Sequence, residues 1–195
     1  MVPEINFYSG RLFNFYLGKL MKKILVVAAL ATVVATPAIA ADAGFYLGGS
    51  VGQSNTKLDN TSLTKKTDTS FALLGGINVS QNLAVEVQYS DMGKVSHSGG
   101  SVELSALSVT AVVSAPVNTD VSIFGKLGIA KTYAKEIASG IKANRSTATF
   151  GLGGQYNLDS NLGVRLGWDR YAVGDTTNIP EGDTDMIYAG VVFKF

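Results

Sequence analysis

Four charged side chains interrupt stretches that otherwise alternate between apolar and small residues. They are Glu86 in LAVEVQYSDMG, Lys126 in DVSIFGKLGIAK, and Arg165 and Asp169 in LGVRLGWDRY. Gln88 and Gln155 share their face of the alternation, while the other face of each stretch is aliphatic or aromatic. A strand puts successive side chains on opposite sides, so such a pattern gathers the charges on one surface. If that surface is enclosed, an unpaired charge on it is expensive, and the four should neutralise one another in a hydrogen-bonded ion-pair network. The competing use of the same face, rich in glycine and serine, is a gated path for water or ions.

Other chemistry is weakly supported. His97, in KVSHSGGS, is the sole histidine. Serine–histidine hydrolysis needs a nucleophile, a base and an orienting acid within reach of one another. Ser96, Ser98 and Glu103 are neighbours of His97 in sequence alone, so it reads as a solvated loop residue. The acids Asp175, Glu181, Asp183 and Asp185 do not follow the EF-hand spacing, and the glycine pairs at 48–49, 75–76 and 153–154 follow no phosphate-binding pattern. Those glycines fit close packing in a sharply curved sheet. The chain has no cysteine, which removes disulfides and thiolate metal sites. No catalytic residue, metal ligand or cofactor is expected.

The chain that must position these residues is 195 long, 46% apolar and only 16% charged. Soluble domains carry roughly 25% charged residues. A net charge of +1 gives no electrostatic reason for a nucleic-acid partner. Met21-Lys22-Lys23, the apolar run ILVVAALATVVA and the small-residue pattern Ala38-x-Ala40 make residues 21–40 a signal peptide cleaved after Ala40. Residues 1–20 then read as an upstream extension, and 41–195 as the mature protein. An N-terminal anchor helix is the alternative, which the cleavage pattern opposes. Cleavage removes four of the 16 basic and one of the 15 acidic residues, leaving a mildly acidic chain.

Beyond Ala41 no apolar run reaches the ~18 residues of a membrane helix. Instead, alternating segments occupy 44–54, 70–80, 83–93, 103–115, 120–136, 146–157, 162–171 and 186–195, each near or above the ~9–11 residues with which a tilted barrel strand crosses a bilayer. Their connections alternate too. Tight, turn-forming stretches at 80–82, 116–119 and 158–161 contrast with longer polar ones at about 55–68, 94–101, 137–145 and 173–183. This is the layout of an all-β, eight-stranded antiparallel up-and-down barrel, with both termini on the short-turn side. A soluble barrel would bury its apolar face, whereas a membrane barrel turns it to lipid. The export segment, the terminal Phe195, and aromatic residues near the strand ends (Phe45, Tyr89, Tyr156, Trp168 and Tyr171 among them) favour lipid outside, with the aromatics at the two interfaces.

GFYLGGSVGQS, VEVQYSDMGK, LSVTAVVSAPV, VSIFGKLG, GLGGQYNLDSNLGVRLGWDRY and the ending GVVFKF, in this order over 44–195, resemble the OmpA-type transmembrane barrel and its small surface-antigen relatives. The resemblance implies a bacterial outer-membrane protein with a structural, envelope-supporting and surface-displaying role, without enzymatic activity. It implies that Glu86 is the inward glutamate of strand three and Lys126 its basic partner on strand five. Lumen lysines that the family's best-known member carries on strands one and four are here Ser50 and Val112, so its gating switch does not carry over. Tyr188, Val191, Phe193 and Phe195 are similar to the C-terminal signal read by the barrel-assembly machinery. Outer-membrane lipids including lipopolysaccharide, that machinery and periplasmic chaperones are the implied partners. An adhesin whose loops bind host components, and a lipid-modifying enzyme, are the alternative readings.

Overall fold

The computed structural model describes residues 44–58, 63–65, 67–97, 100–137, 140, 142–173 and 182–195. The expected extension and signal peptide at 1–40, the acids Asp175 and Glu181, and the His97 side chain lie outside the described residues. Eight long strands are present among them: β1 (Phe45–Leu58), β2 (Thr67–Asn78), β3 (Leu83–His97), β4 (Gly100–Pro116), β5 (Val121–Glu136), β6 (Lys142–Asn157), β7 (Leu162–Val173) and β8 (Gly182–Lys194). A three-residue strand, Leu63–Lys65, pairs with the tip of β3. Each long strand is antiparallel to the next, and β8 closes on β1 from Tyr46↔Lys194 to Leu58↔Gly182. The result is a closed eight-stranded barrel.

Period two decides which way each side chain points. Leu127 (66% exposed), Ile129 (69%), Leu166 (60%) and Ile187 (66%) stand on the outside. Glu86 (0%), Lys126 (6%), Arg165 (6%) and Asp169 (3%) stand inside. An apolar exterior around a polar interior inverts the soluble barrel and presents a surface fit for hydrocarbon. No helix among the described residues is long and apolar enough to cross a membrane. Strands can cross because a closed sheet satisfies every backbone group within itself.

Phe45, Tyr89, Tyr156 and Trp168 lie on the outward face, and Phe150 meets Trp168 edge-on at 5.6 Å between ring centres. Tyr171, expected with the interfacial aromatics, is instead buried in the barrel at 1% exposure. On β7 it is in phase with Arg165 and Asp169, not with Leu166 and Trp168, and strand alternation turns it inward. The strands are also longer than a bilayer requires. β3 runs to His97 and β4 resumes at Gly100, so most of the 94–101 stretch expected as loop is ladder. Val95, Val102, Leu104, Ala134 and Ala143 explain this extension, because they build a buried apolar cluster beyond the charged layer. A bulge between Asp91 and Gly93 places Met92, fully buried, into that cluster, with Gly93 at φ 75° relieving the backbone.

A narrow lumen must fit large rings, and glycines make the room. Tyr46 lies opposite Gly76, Phe124 opposite Gly153 and Tyr188 opposite Gly167 in the ladders. A methyl group at any of these glycines would run into the facing ring. Outside, Gly125 has nothing within 4 Å of such a methyl. The short turns are held by side-chain acceptors. Asn118 Oδ1 accepts from the Asp120 and Val121 amides (3.0 and 2.8 Å), and Asp159 Oδ1 from the Asn161 and Leu162 amides (both 2.7 Å).

Two outcomes follow for stability in detergent micelles. Gly76→Val should cost about 1–3 kcal/mol by overpacking against Tyr46, while Gly125→Val leaves the urea midpoint, followed by Trp168 fluorescence, unchanged. The two amides hold the Asp159 carboxyl below the usual carboxylate range. Its folded value lies below the unfolded one of about 3.9, so its stabilisation is complete above that pH and is lost as pH falls through the folded value. Asp159→Ala should therefore lower the urea midpoint at neutral pH, and the gap to wild type should close in acid.

Candidate functional site in the barrel lumen

The charged residues arrive from β3, β5 and β7, strands that are not ladder neighbours. They meet because an eight-stranded barrel is only wide enough inside for side chains. On β3, Ala84, Glu86, Gln88 and Ser90 share the inward phase; on β5, Phe124 and Lys126; on β7, Arg165, Asp169 and Tyr171. Glu86 is the hub. Its Oε1 accepts from Arg165 Nη1 at 2.5 Å and from the Tyr46 hydroxyl at 2.8 Å, and its Oε2 lies 3.4 Å from Lys126 Nζ. Lys126 Nζ also donates to Gln88 Oε1 (3.0 Å) and lies 3.5 Å from Asp169 Oδ2. Gln88 Nε2 donates to Asp169 Oδ2 (3.1 Å) and to the Tyr171 hydroxyl (2.9 Å). Gln155 Oε1 accepts from Arg165 Nε and Nη2, and Gln155 Nε2 donates to Asn157.

All four expected charges thus join one assembly of two carboxylates and two cations. Asp169 shares Lys126 with Glu86 and belongs to the same layer. Aromatic faces complete it: the Arg165 guanidinium lies 4.7 Å from the Phe124 ring centre, and Lys126 Nζ lies 5.3 Å from that of Tyr188. Tyr46 and Tyr171 also belong to the site, unannounced by charge, and Tyr188 faces it from β8. Their parity, even on β1 and β8 and odd on β7, was the signal that places them inside.

Apolar residues pack against the network on both sides. Tyr46, Leu74, Ala84, Val112, Phe124 and Val192 pack toward the short turns, and Met92, Val95, Val102, Leu104 and Met186 toward the loops. The gap between Gln88, Thr110, Lys126, Thr149 and Asp169 has no room for a water molecule. At the short-turn mouth a space of about 630 Å³ opens, bordered by Asn82, Gln155, Asn157, Arg165 and Lys194. The buried carboxylates face cations and donors, the Ser90 hydroxyl is engaged by Gln88, and no cluster of three or more metal-ligating residues occurs among the described residues. This arrangement fastens strands together across the lumen. At the seam, Val191, Phe193 and Phe195 share the outward face, with Phe193 and Phe195 edge-on at 5.1 Å, while Tyr188 points into the lumen.

Removing one partner of a buried ion pair strands the other charge, at about 3–5 kcal/mol. Glu86→Ala should show a loss of that size in urea unfolding, and adding Arg165→Met should restore part of it. The exposed pair Arg170–Asp185, 2.7 Å apart, should contribute about 1 kcal/mol or less when Asp185 is replaced by Asn.

The same architecture recurs in solved outer-membrane proteins. Neisserial surface protein A superimposes with a TM-score of 0.61 at 14% identity, covering 77% of this chain and 97% of that one. Ail, the attachment invasion locus protein of Yersinia pestis, solved with the heparin analogue sucrose octasulfate, gives 0.54 at 20% identity, over 78% and 99%. The N-terminal barrel domain of Pseudomonas aeruginosa OprF gives 0.52 at 14%, over 77% and 97%. At such identities the likeness is one of fold. A comparison with curated protein sequences gave no match. The family model for the outer membrane protein beta-barrel domain matches residues 26–195. The inverted, closed and internally neutralised barrel is therefore that of an outer-membrane protein, and the chain belongs to the outer-membrane β-barrel family.

Proposed function

We propose that this protein is a non-enzymatic component of the outer membrane that supports envelope integrity and displays its long loops at the cell surface. The observation that carries this reading is the charged layer of the lumen, in which Glu86, Lys126, Arg165 and Asp169 are spent on one another and the gap beside Lys126 and Asp169 has no room for water. A transport route would need a continuous wet path, and a hydrolytic site would need an accessible nucleophile and base. In this reading the 21–40 segment directs export, periplasmic chaperones carry the unfolded chain, and the outward Val191, Phe193 and Phe195 with Tyr188 form the address read by the assembly machinery. Outer-membrane lipids, lipopolysaccharide included, then surround the apolar belt.

Deleting the gene should sensitise cells to detergents and large antibiotics without altering the chemistry of the lipid anchor, and the purified barrel in planar bilayers should show no steady conductance. A stable channel, or a change in lipid acylation, would refute the reading. The complex of Ail with a heparin analogue supports a second role, loop-mediated attachment to sulfated host glycans. Loop deletions that abolish cell binding while leaving detergent resistance intact would favour it.

A further inference from the structure

Charges on the outward face of the loop-side rim are matched around most of the circumference. Arg170 on β7 makes a two-pronged contact with Asp185 on β8, at 2.7 and 2.8 Å. Lys57 on β1 stands opposite Asp183 on β8 in the ladder. Lys94 on β3 pairs with Glu103 on β4 at 3.2 Å.

The β5–β6 hairpin departs from this pattern. Lys131 and Lys135 on β5 and Lys142 on β6 are all exposed and in the outward phase. Lys135 and Lys142 are direct ladder partners. None of the three forms a salt bridge among the described residues. Glu103, which stands opposite Lys135 on the other side, is engaged by Lys94. Like charges directly opposite one another in a sheet are destabilising, so this arrangement carries a cost that the rest of the rim avoids. Lys131 leans against the Tyr133 ring at 5.7 Å, an aromatic at the level where an interfacial girdle belongs.

Immediately below the lysines begins the hydrocarbon-facing belt. Ile129 (69% exposed) lies two residues from Lys131 on β5, with Val109 opposite it on β4 and Leu127 next along β5, both exposed. From Lys131 to Lys135 the strand rises about 13 Å, enough to meet more than one phosphate on a single headgroup. A ligand that fits has several anionic groups at headgroup height and acyl chains beneath them. A soluble polyanion would satisfy the lysines and leave the belt unused.

We propose that the outward face of the β5–β6 hairpin is a binding site for a phosphorylated glycolipid of the outer leaflet. Lys131, Lys135 and Lys142 hold its phosphates, and Ile129, Val109 and Leu127 pack its acyl chains. The site rests on the lipid contact described above and is independent of the envelope role, because binding is read on purified protein and sensitivity on cells.

The test is native mass spectrometry of the membrane-purified protein in neutral detergent, titrated with bisphosphorylated lipid A and with its dephosphorylated form. Wild type should retain the phosphorylated lipid preferentially. The triple variant Lys131→Gln, Lys135→Gln, Lys142→Gln should bind it about a hundredfold more weakly, taking roughly 1 kcal/mol for each lysine near a lipid surface. A Lys57→Gln, Lys94→Gln control from the matched sectors should bind as wild type, and all three proteins should keep heat-dependent gel mobility. The proposal is overturned if the triple variant holds the lipid as tightly as wild type, or if the dephosphorylated lipid binds equally well. It is also overturned if a soluble sulfated polysaccharide displaces the lipid at lower concentration than lipid A itself.

Discussion

Closure of the sheet is the constraint on which everything else in this molecule depends. In hydrocarbon no water is present to satisfy an exposed backbone amide, so β1 and β8 cannot be left as free edges. The seam is secured along its whole length, from Tyr46↔Lys194 to Leu58↔Gly182, and at its end the Phe195 amide donates to the Phe45 carbonyl at 2.9 Å. With eight strands joined in a ring, the interior diameter is set, and it is small. Every inward side chain must then fit a space decided by the backbone. The facing of Tyr46, Phe124 and Tyr188 with Gly76, Gly153 and Gly167 is the direct consequence.

The charged layer follows from the same confinement. Once Glu86, Lys126, Arg165 and Asp169 are inside, water cannot solvate them, and each must be met by a partner of opposite sign or by a hydrogen bond. Replacing such a group by apolar residues is often neutral for stability, so net stabilisation is a weak explanation for its presence. Its geometry offers a better one. β3, β5 and β7 make no ladder with one another, yet Glu86, Lys126, Arg165 and Asp169 reach across the lumen to connect them. A one-residue slip in any of these strands would turn its charge out into hydrocarbon. The network therefore specifies register, while closure and the apolar exterior specify the fold.

Much of this was legible beforehand. The alternation alone separated Leu166 and Trp168 from Arg165 and Asp169, and the four inward charges were named with their tendency to pair. Residue type and alternation point in different directions at two places. Tyr171 is in phase with Asp169, yet its aromatic type invited placement at the membrane surface, where it would have broken the alternation. The 94–101 stretch contains polar residues that read as loop, but Val95 and Val102 face inward within it, and an inward apolar residue is enough to keep the ladder going. Local composition misled in both places, and parity would have corrected both.

The sequence by itself determined the strand count, the sign of the two faces and the identity of the buried charges, because period two is a local property that needs no knowledge of the partner strand. Only the tertiary structure decided which charges touch. Glu86 and Arg165 are 79 residues apart, and their 2.5 Å contact exists because strand tilt and ring closure bring β3 and β7 across the same level of the lumen. Likewise, the facing of Lys135 with Lys142 depends on the register of one hairpin, and the absence of a salt bridge to either among the described residues depends on where Lys94 and Glu103 happen to meet. Pairing across a closed surface is set by stagger and diameter, which are properties of the whole ring and of no single segment.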